Sequence, residues 1–206
     1  MIPAGQLTGA VLAGGESRRM GRDKAALMIG ESSLWQRQVK MLRAAGAGVV
    51  GVVRRSGQPA LELPTDIPLW QDAVTGIGPL AGLHAALTAC PTGWLAVVAT
   101  DMPRLDASWF QWLGGFCSPG CGAMARRIDG THEPLAAIYT KTALAEVTRR
   151  LAGPSFSLQG LANALIAQKF LVSAPLPDAD LGQVENWNTP AEAGQESKPS
   201  AFTTAS

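Results

Sequence analysis

The sequence predicts a single α/β domain of three layers, a mostly parallel sheet with helices on both faces and a small antiparallel element. Strand-like apolar runs and helix-like segments alternate along the chain, the pattern of a sheet whose strands are joined by crossover helices. A length of 206 residues is enough to bury one core without splitting into two. The antiparallel element comes from Asp129-Gly130, a turn dipeptide lying between two apolar stretches.

Taken in order, Leu7, Ala10, Val11 and Leu12 read as a short buried strand bounded by glycines. Ser32 and Ser33 can cap a helix running to about Ala45, with Leu34, Gln38, Met41, Leu42 and Ala45 near helical spacing. Gly46 and Gly48 end that helix, and Val49 to Val53 form the second strand. Ile67 to Trp70 is a short apolar segment leading to Asp72. A helix over Leu83 to Ala89 stops at Pro91, and Trp94 to Ala99 is a buried strand that delivers Asp101. Asp106 to Leu113 forms a short helix, and Ala123 to Arg127 pairs with Leu135 to Tyr139 around Asp129-Gly130. Thr140 to Leu151 and Leu158 to Ile166 are helices separated by Gly153-Pro154, and Phe170 to Ser173 is a further strand. The domain is thus expected over residues 1–192. The segment 193–206, AGQESKPSAFTTAS, carries almost no large apolar residue and is expected to be disordered.

Composition excludes several function classes. The hydrophobic fraction of 47% and the charged fraction of 16% suit a compact domain. Lys+Arg 17 against Asp+Glu 16 leaves a net charge of +1, which gives no support for nucleic-acid binding through bulk electrostatics. No apolar run reaches the roughly 18 residues needed to span a bilayer, and the opening MIPAGQLTGAV lacks a basic stretch and a long apolar stretch of the secretory kind. Three cysteines are an odd number and do not suggest a disulfide framework. A cytoplasmic enzyme is the consistent expectation. Cys117, Cys121 and His132 lie close in sequence, but structural zinc usually takes four ligands in paired spacing, so ordinary packing is the expected role.

The chemistry concentrates in one stretch, LAGGESRRMGRDK from Leu12 to Lys24. Gly14 and Gly15 let the backbone approach a ligand with no Cβ in the way. Ser17, Arg18, Arg19, Arg22 and Lys24 then supply a hydroxyl and four cations, a setting for a chain of phosphates. The stretch is neither GxxxxGK[ST] nor GxGxxG.

LAGGxSxRMGxDK resembles the signature loop of nucleotidyltransferases with a Rossmann-like fold, most closely the molybdenum cofactor guanylyltransferase family. GPLAG at Gly78 to Gly82, TDMP at Thr100 to Pro103, EPLAAIY at Glu133 to Tyr139 and NWNTPAE at Asn186 to Glu192 follow in family order. The resemblance therefore spans about Leu7 to Glu192. It implies a three-layer Rossmann-like nucleotidyltransferase fold and transfer of GMP from GTP to the phosphate of molybdopterin or Mo-molybdopterin, with release of pyrophosphate. A cytidylyl- or sugar-phosphate nucleotidyltransferase of the same fold is the alternative, followed by a non-catalytic nucleotide-binding partner of a molybdoenzyme. GTP and molybdopterin are the expected small-molecule partners, with transient contact to molybdoenzymes or cofactor chaperones.

The same resemblance assigns roles. Arg19, Lys24 and Asp101 are the expected catalytic residues, with Asp101 carrying Mg2+ and Lys24 clamping phosphate. Leu12, Ala13, Gly14, Gly15, Lys24, Asp72, Gly78, Pro79 and Asp101 are expected to bind nucleotide, and Glu133, Asn186 and Asn188 the acceptor, with Arg126 and Arg127 framing it. Each has a plainer reading as well: Asp101 and Asp72 as local caps, Asn186 and Asn188 as turn residues, Arg18 and Arg22 as solvated cations, His84 as a helix-face residue and Trp187 as packing. LAGG with GPLAG is the guanine-using form of the family, whereas the cytidylyl relatives differ at both. One position departs from the pattern. The family commonly has an Asn at the end of the second strand, and Val52 stands at about that position with no side-chain hydrogen-bonding group. Either Arg54 or Arg55 then substitutes, or backbone groups alone hold the base.

Overall fold

The computed structural model describes residues 2–14, 24–59, 61–72 and 77–185. Its centre is β1 (Leu7–Leu12), which is buried along its whole length. The strand pairs in parallel with β4 (Val49–Arg55) on one side and with β6 (Trp94–Ala99) on the other. A strand buried on both faces reads as a continuous apolar run rather than an alternation, which is why LTGAVL and WLAVVA look alike. Outside β4 lies β5 (Leu69–Asp72), also parallel. Beyond β6 the sheet changes sense. The strand β8 (His132–Thr140) runs antiparallel to both β6 and β7 (Gly122–Arg126), and β9 (Leu171–Pro175) closes the edge parallel to β7. The seven-stranded order is β5-β4-β1-β6-β8-β7-β9. A separate two-stranded hairpin, β2 (Met28–Ile29) and β3 (Ser32–Ser33), precedes the first helix.

Helices cover both faces. α1 (Leu34–Ala44) and α3 (Ala107–Phe116) contribute to the core on one side, where Trp35, Val39, Leu42, Trp109 and Leu113 meet Val11, Val52 and Val98. α2 (Pro79–Ala89), α4 (Ala143–Leu151) and α5 (Leu158–Ala167) contribute to the other, where Leu83, Leu87, Val147 and Leu165 meet Ala10, Leu12 and Val97. Val97 and Val98 fall in opposite cores because successive strand residues point to opposite faces.

The helix starts follow their capping residues. Ser33 caps α1 in a full capping box with Gln36, whose backbone N–H donates to Ser33 Oγ at 3.4 Å. Asp106 and Ser157 cap α3 and α5. α2 begins at Pro79, earlier than the Leu83 start that spacing suggests, because proline is pre-set for the first helical turn. α4 begins at Ala143 rather than Thr140, since β8 extends through Thr140 to pair with Trp94.

Between α4 and α5, Glu146 is buried and accepts from Arg149 Nη2 at 2.6 Å, Arg150 Nε at 2.9 Å and Gln168 Nε2 at 3.4 Å. Arg150 also donates to the Gly160 carbonyl at 2.7 Å, which joins the two helices. The hydrogen bond from Arg149, the largest cause, together with the other donors holds the Glu146 carboxyl down at about 2 against its ordinary 4.5. A depressed carboxyl stabilises the fold fully above the unfolded value and loses that stabilisation as pH falls through the folded one. The melting temperature should therefore fall as pH drops from about 4.5 toward 2, and Glu146→Gln should flatten this part of the profile. Parallel profiles for the two proteins, read by circular dichroism, would refute the assignment.

Candidate active site

All strands of the main sheet except β8 point the same way, so one edge collects their C-terminal ends, where open α/β sheets bind ligands. At this edge the chain leaves β1 through Ala13 and Gly14. The Ala13 N–H donates to the Val53 carbonyl at 2.9 Å, and the Thr100 N–H donates to the Leu12 carbonyl at 3.4 Å. The glycine loop and the Asp101 turn are thus tied to neighbouring strand ends. A Cβ built on Gly14 would lie 3.3 Å from the Arg55 backbone nitrogen and 3.9 Å from Asp72 Oδ2. Residues 14, 55 and 72 form one cluster, and the tight approach to the Arg55 backbone explains why a glycine stands there.

Asp72 pairs in register with Arg55 and is buried. Burial pushes its carboxyl up, while the Ser56 backbone N–H and the Arg55 charge pull it down. Its Oδ1 is buried and makes no hydrogen bond among the described residues. An acceptor oxygen left so at a sheet edge suits a ligand donor. Asp101 is partly exposed at the end of β6, in a turn closed by the Met102 N–H donating to the Ala99 carbonyl at 3.4 Å. Between Asp72 and Asp101 lie three strand spacings, roughly 14 Å.

Gly78 caps α2 with φ +72, a backbone that side-chain-bearing residues rarely adopt, and Pro79 follows it at the rim. Gly82, by contrast, is buried, with Leu12 and Val53 side chains 3.6 Å from a Cβ built on it. It seats α2 on the sheet and does not face a ligand.

The second-strand departure needs correction. Val52 is fully buried in the middle of β4, paired with Val11 and Leu69, and lies in the core beneath α1. It is not the end of the strand, because pairing of Arg54 with Gln71 and of Arg55 with Asp72 carries β4 two residues further. Asparagine at 52 would bury an unpaired amide instead of restoring a contact. Arg54 and Arg55 occupy the edge. Arg54 is buried and donates through Nη1 to the Ala13 carbonyl at 3.4 Å and through Nη2 to the Pro59 carbonyl at 2.6 Å. It braces the glycine loop from inside.

On the far side of β6, the antiparallel β8 brings its start to the same edge. Glu133 is buried there and ion-paired with Arg127 Nε. Burial pushes the Glu133 carboxyl up, and the Arg127 hydrogen bond and charge pull against it. Arg127 also donates to the Val184 carbonyl at 3.3 Å, and Arg104 forms an ion pair with Glu185. The two arginines thereby fasten the chain immediately before Asn186, one of them three positions from Asp101. Nothing in their sequence spacing announces this, since Arg104 and Glu185 are 81 residues apart.

His84 is on the α2 surface beside Thr148 of α4, 3.2 Å from its hydroxyl. Among the described residues no group of three His, Cys, Asp or Glu can hold a metal, and His132 lies 3.1 Å from the Ser173 hydroxyl. Lys24 opens a short 3-10 turn through Ala26, and its side chain lies outside the description. Gly15, Arg18, Arg19, Arg22, Asn186 and Asn188 lie outside the described residues. No helix among the described residues is long and apolar enough to cross a membrane.

Comparison with known proteins agrees with this fold. Residues 9–169 match the MobA-like NTP transferase domain. The chain belongs to the MobA-like NTP transferase family. Among relatives of this family, a protein of Opitutus terrae named "probable molybdenum cofactor guanylyltransferase" is 45% identical over 201 residues, covering 96% of this chain and 98% of its own. One of the same name from Deinococcus radiodurans is 36% identical over 155 residues, covering 74% and 75%. The crystal structure of molybdopterin-guanine dinucleotide biosynthesis protein A from Archaeoglobus fulgidus superposes with a TM-score of 0.70 at 25% identity, covering 90% of this chain and 94% of that one. Membership in the MobA-like family makes the chain a nucleotidyltransferase, and the sheet edge that runs from the end of β5 to the end of β7 is its candidate active edge.

The Arg127–Glu133 pair yields a prediction. Arg127→Met leaves a buried carboxylate without its cation, a change expected to cost about 1–3 kcal/mol at pH 8. Glu133 then takes up a proton as pH falls, so the loss should shrink by pH 5, both pH values being about where urea midpoints are compared. Adding Glu133→Gln should restore most of the stability at the higher pH. An equal loss at both pH values would disprove the pairing.

Proposed function

We propose that the chain transfers GMP from GTP to the terminal phosphate of molybdopterin, releasing pyrophosphate. The observation that carries this reading is the alignment of Asp72, Gly14 and Asp101 along one sheet edge, with the buried Asp72 Oδ1 lacking a hydrogen-bond partner among the described residues. The relatives' name at 45% identity over nearly the whole chain supports the guanine and molybdopterin specificity.

In this reading the guanosine lies on the β5–β4 side. Asp72 accepts a hydrogen bond from the base or ribose, and the backbone at Leu12 to Gly14 and at Gly78-Pro79 borders the nucleotide. The triphosphate runs toward Lys24, Arg19 and the glycines Gly14 and Gly15. An anionic phosphate oxygen of the acceptor attacks the α-phosphorus. A new phosphorus–oxygen bond forms as the bond to the β-phosphate oxygen breaks, and pyrophosphate leaves with the electron pair. The nucleophile is already ionised, so the residues need to position and neutralise rather than to remove a proton. Glu133, with Asn186 and Asn188, borders the acceptor on the β8 side.

Asp101 fits a hard divalent cation: it offers carboxylate oxygens at a partly exposed strand end, and magnesium typically takes one or two carboxylates beside substrate phosphates. Magnesium held there would supply charge neutralisation at the reacting phosphate and help fix the in-line geometry.

The test is pyrophosphate release from each of the four ribonucleoside triphosphates, with and without molybdopterin and with and without Mg2+. Release should require molybdopterin and be fastest with GTP. Equal or faster turnover with CTP would favour a cytidylyltransferase, and binding without release would favour a nucleotide-binding partner. Asp101→Asn should lower turnover by about 100-fold or more, the scale of losing one key electrostatic contact, with little change in melting temperature. Turnover within a few-fold of wild type would remove Asp101 from the mechanism.

A further inference from the structure

Gln38 stands on the apolar face of α1, between Leu34 and Leu42, and is 1% exposed. A carboxamide so placed costs free energy unless its polar atoms are bonded, and an apolar residue would fill the space more cheaply. The side chain has one long-range target. Its Nε2 donates to the Met102 carbonyl at 2.7 Å, across 64 residues of sequence.

That carbonyl belongs to the turn that carries Asp101. The Met102 N–H donates to the Ala99 carbonyl, making Asp101 the third residue of a four-residue turn. The turn is attached to β1 by the Thr100 N–H donating to the Leu12 carbonyl, and the chain leaves it through a second turn in which the Leu105 N–H donates to the Met102 carbonyl at 3.3 Å. On the helix side, Gln38 grips it through the Met102 carbonyl. Without that grip the turn keeps its attachment to β1 but loses the one to α1, and the direction of the carboxylate is set less tightly. Small displacements of such a ligand weaken a site disproportionately.

We propose that Gln38 is a positioning residue that fixes the Asp101 turn and thereby sets the affinity of the site for a divalent cation. This rests on Asp101 being the metal ligand. The probe is Mn2+, titrated by electron paramagnetic resonance into the full chain in the presence of the α,β-methylene analogue of GTP, which does not turn over. Gln38→Met, close in volume but without a donor, should raise the Mn2+ Kd by about tenfold, the lower end of losses from outer-shell partners. Gln38→His, which keeps a ring N–H at similar reach, should stay within about threefold of wild type. Val39→Ala, on the same helix, should lower the melting temperature and leave Mn2+ binding unchanged. Should Gln38→Met fail to fold, Gln38→Leu, which likewise has no donor, takes its place and must weaken Mn2+ binding at least as much. Wild-type Mn2+ affinity in either donor-free variant, or equal weakening in Val39→Ala, overturns the proposal. Asp101→Asn is run alongside, and unchanged Mn2+ affinity in that variant would instead overturn the metal-ligand reading on which it rests.

Discussion

The parallel pairing of β1 with both β4 and β6 is the constraint on which the rest of the molecule depends. Once β1 is enclosed, its only exits are its ends, and the Ala13 and Thr100 amides continue the ladder just past them. The enclosure also dictates Gly9 in mid-strand. A Cβ there would come within 3.0 Å of a Leu42 side-chain carbon and 3.1 Å of a Val50 methyl, so α1 can close on the sheet only because the position is bare. The seating of α1 then decides where Gln38 lies. Packing in the middle of the sheet and hydrogen bonding at its edge are therefore one problem.

The reversal of β8 has a chemical consequence. In an all-parallel sheet every residue at the active edge would come from a strand's C-terminal end. Because β8 opposes β6 and β7, its first residues, His132 and Glu133, arrive there instead. The strand order thus fixes a linear order of groups: Asp72, Arg55, Gly14, Asp101, Glu133, Arg127. In the proposed reaction the nucleotide and the acceptor therefore lie on opposite sides of the central carboxylate Asp101, which separates their binding groups along the edge.

Much of this was legible in the sequence. Apolar runs located β1, β4, β6 and β9, and the Asp129-Gly130 turn located the β7–β8 hairpin. The Ser33 cap and the Gly46 stop bracketed α1. Apart from the α2 start, which proline sets locally, the differences share a cause, which is pairing at long range. The apolar run of β4 ends at Val53, but hydrogen bonding to β5 draws Arg54 and Arg55 into the strand, so Val52 was assigned to the wrong depth. Thr140 looked like a helix start until its pairing with Trp94 kept it in β8. Gln38 shows the same limit differently. A polar residue on an apolar helical stripe signals a buried bond, but its partner, 64 residues away, has no local signature.

The net charge of +1 also acquires a physical meaning. A protein that gathers a polyanion by its overall field needs an excess of cations, and this one has almost none to spare. Three cations seen at this edge hold structure instead: Arg54 binds two loop carbonyls, Arg104 pairs with Glu185, and Arg127 with Glu133 and the Val184 carbonyl. Their work is to hold backbone in place at low cost in field. In the proposed reaction the charge acting on phosphate comes mainly from the short stretch from Ser17 to Lys24. A neutral frame with one cationic loop concentrates the field where charge moves in the proposed reaction, and a preorganised local field stabilises a transition state more than a diffuse one of the same total charge.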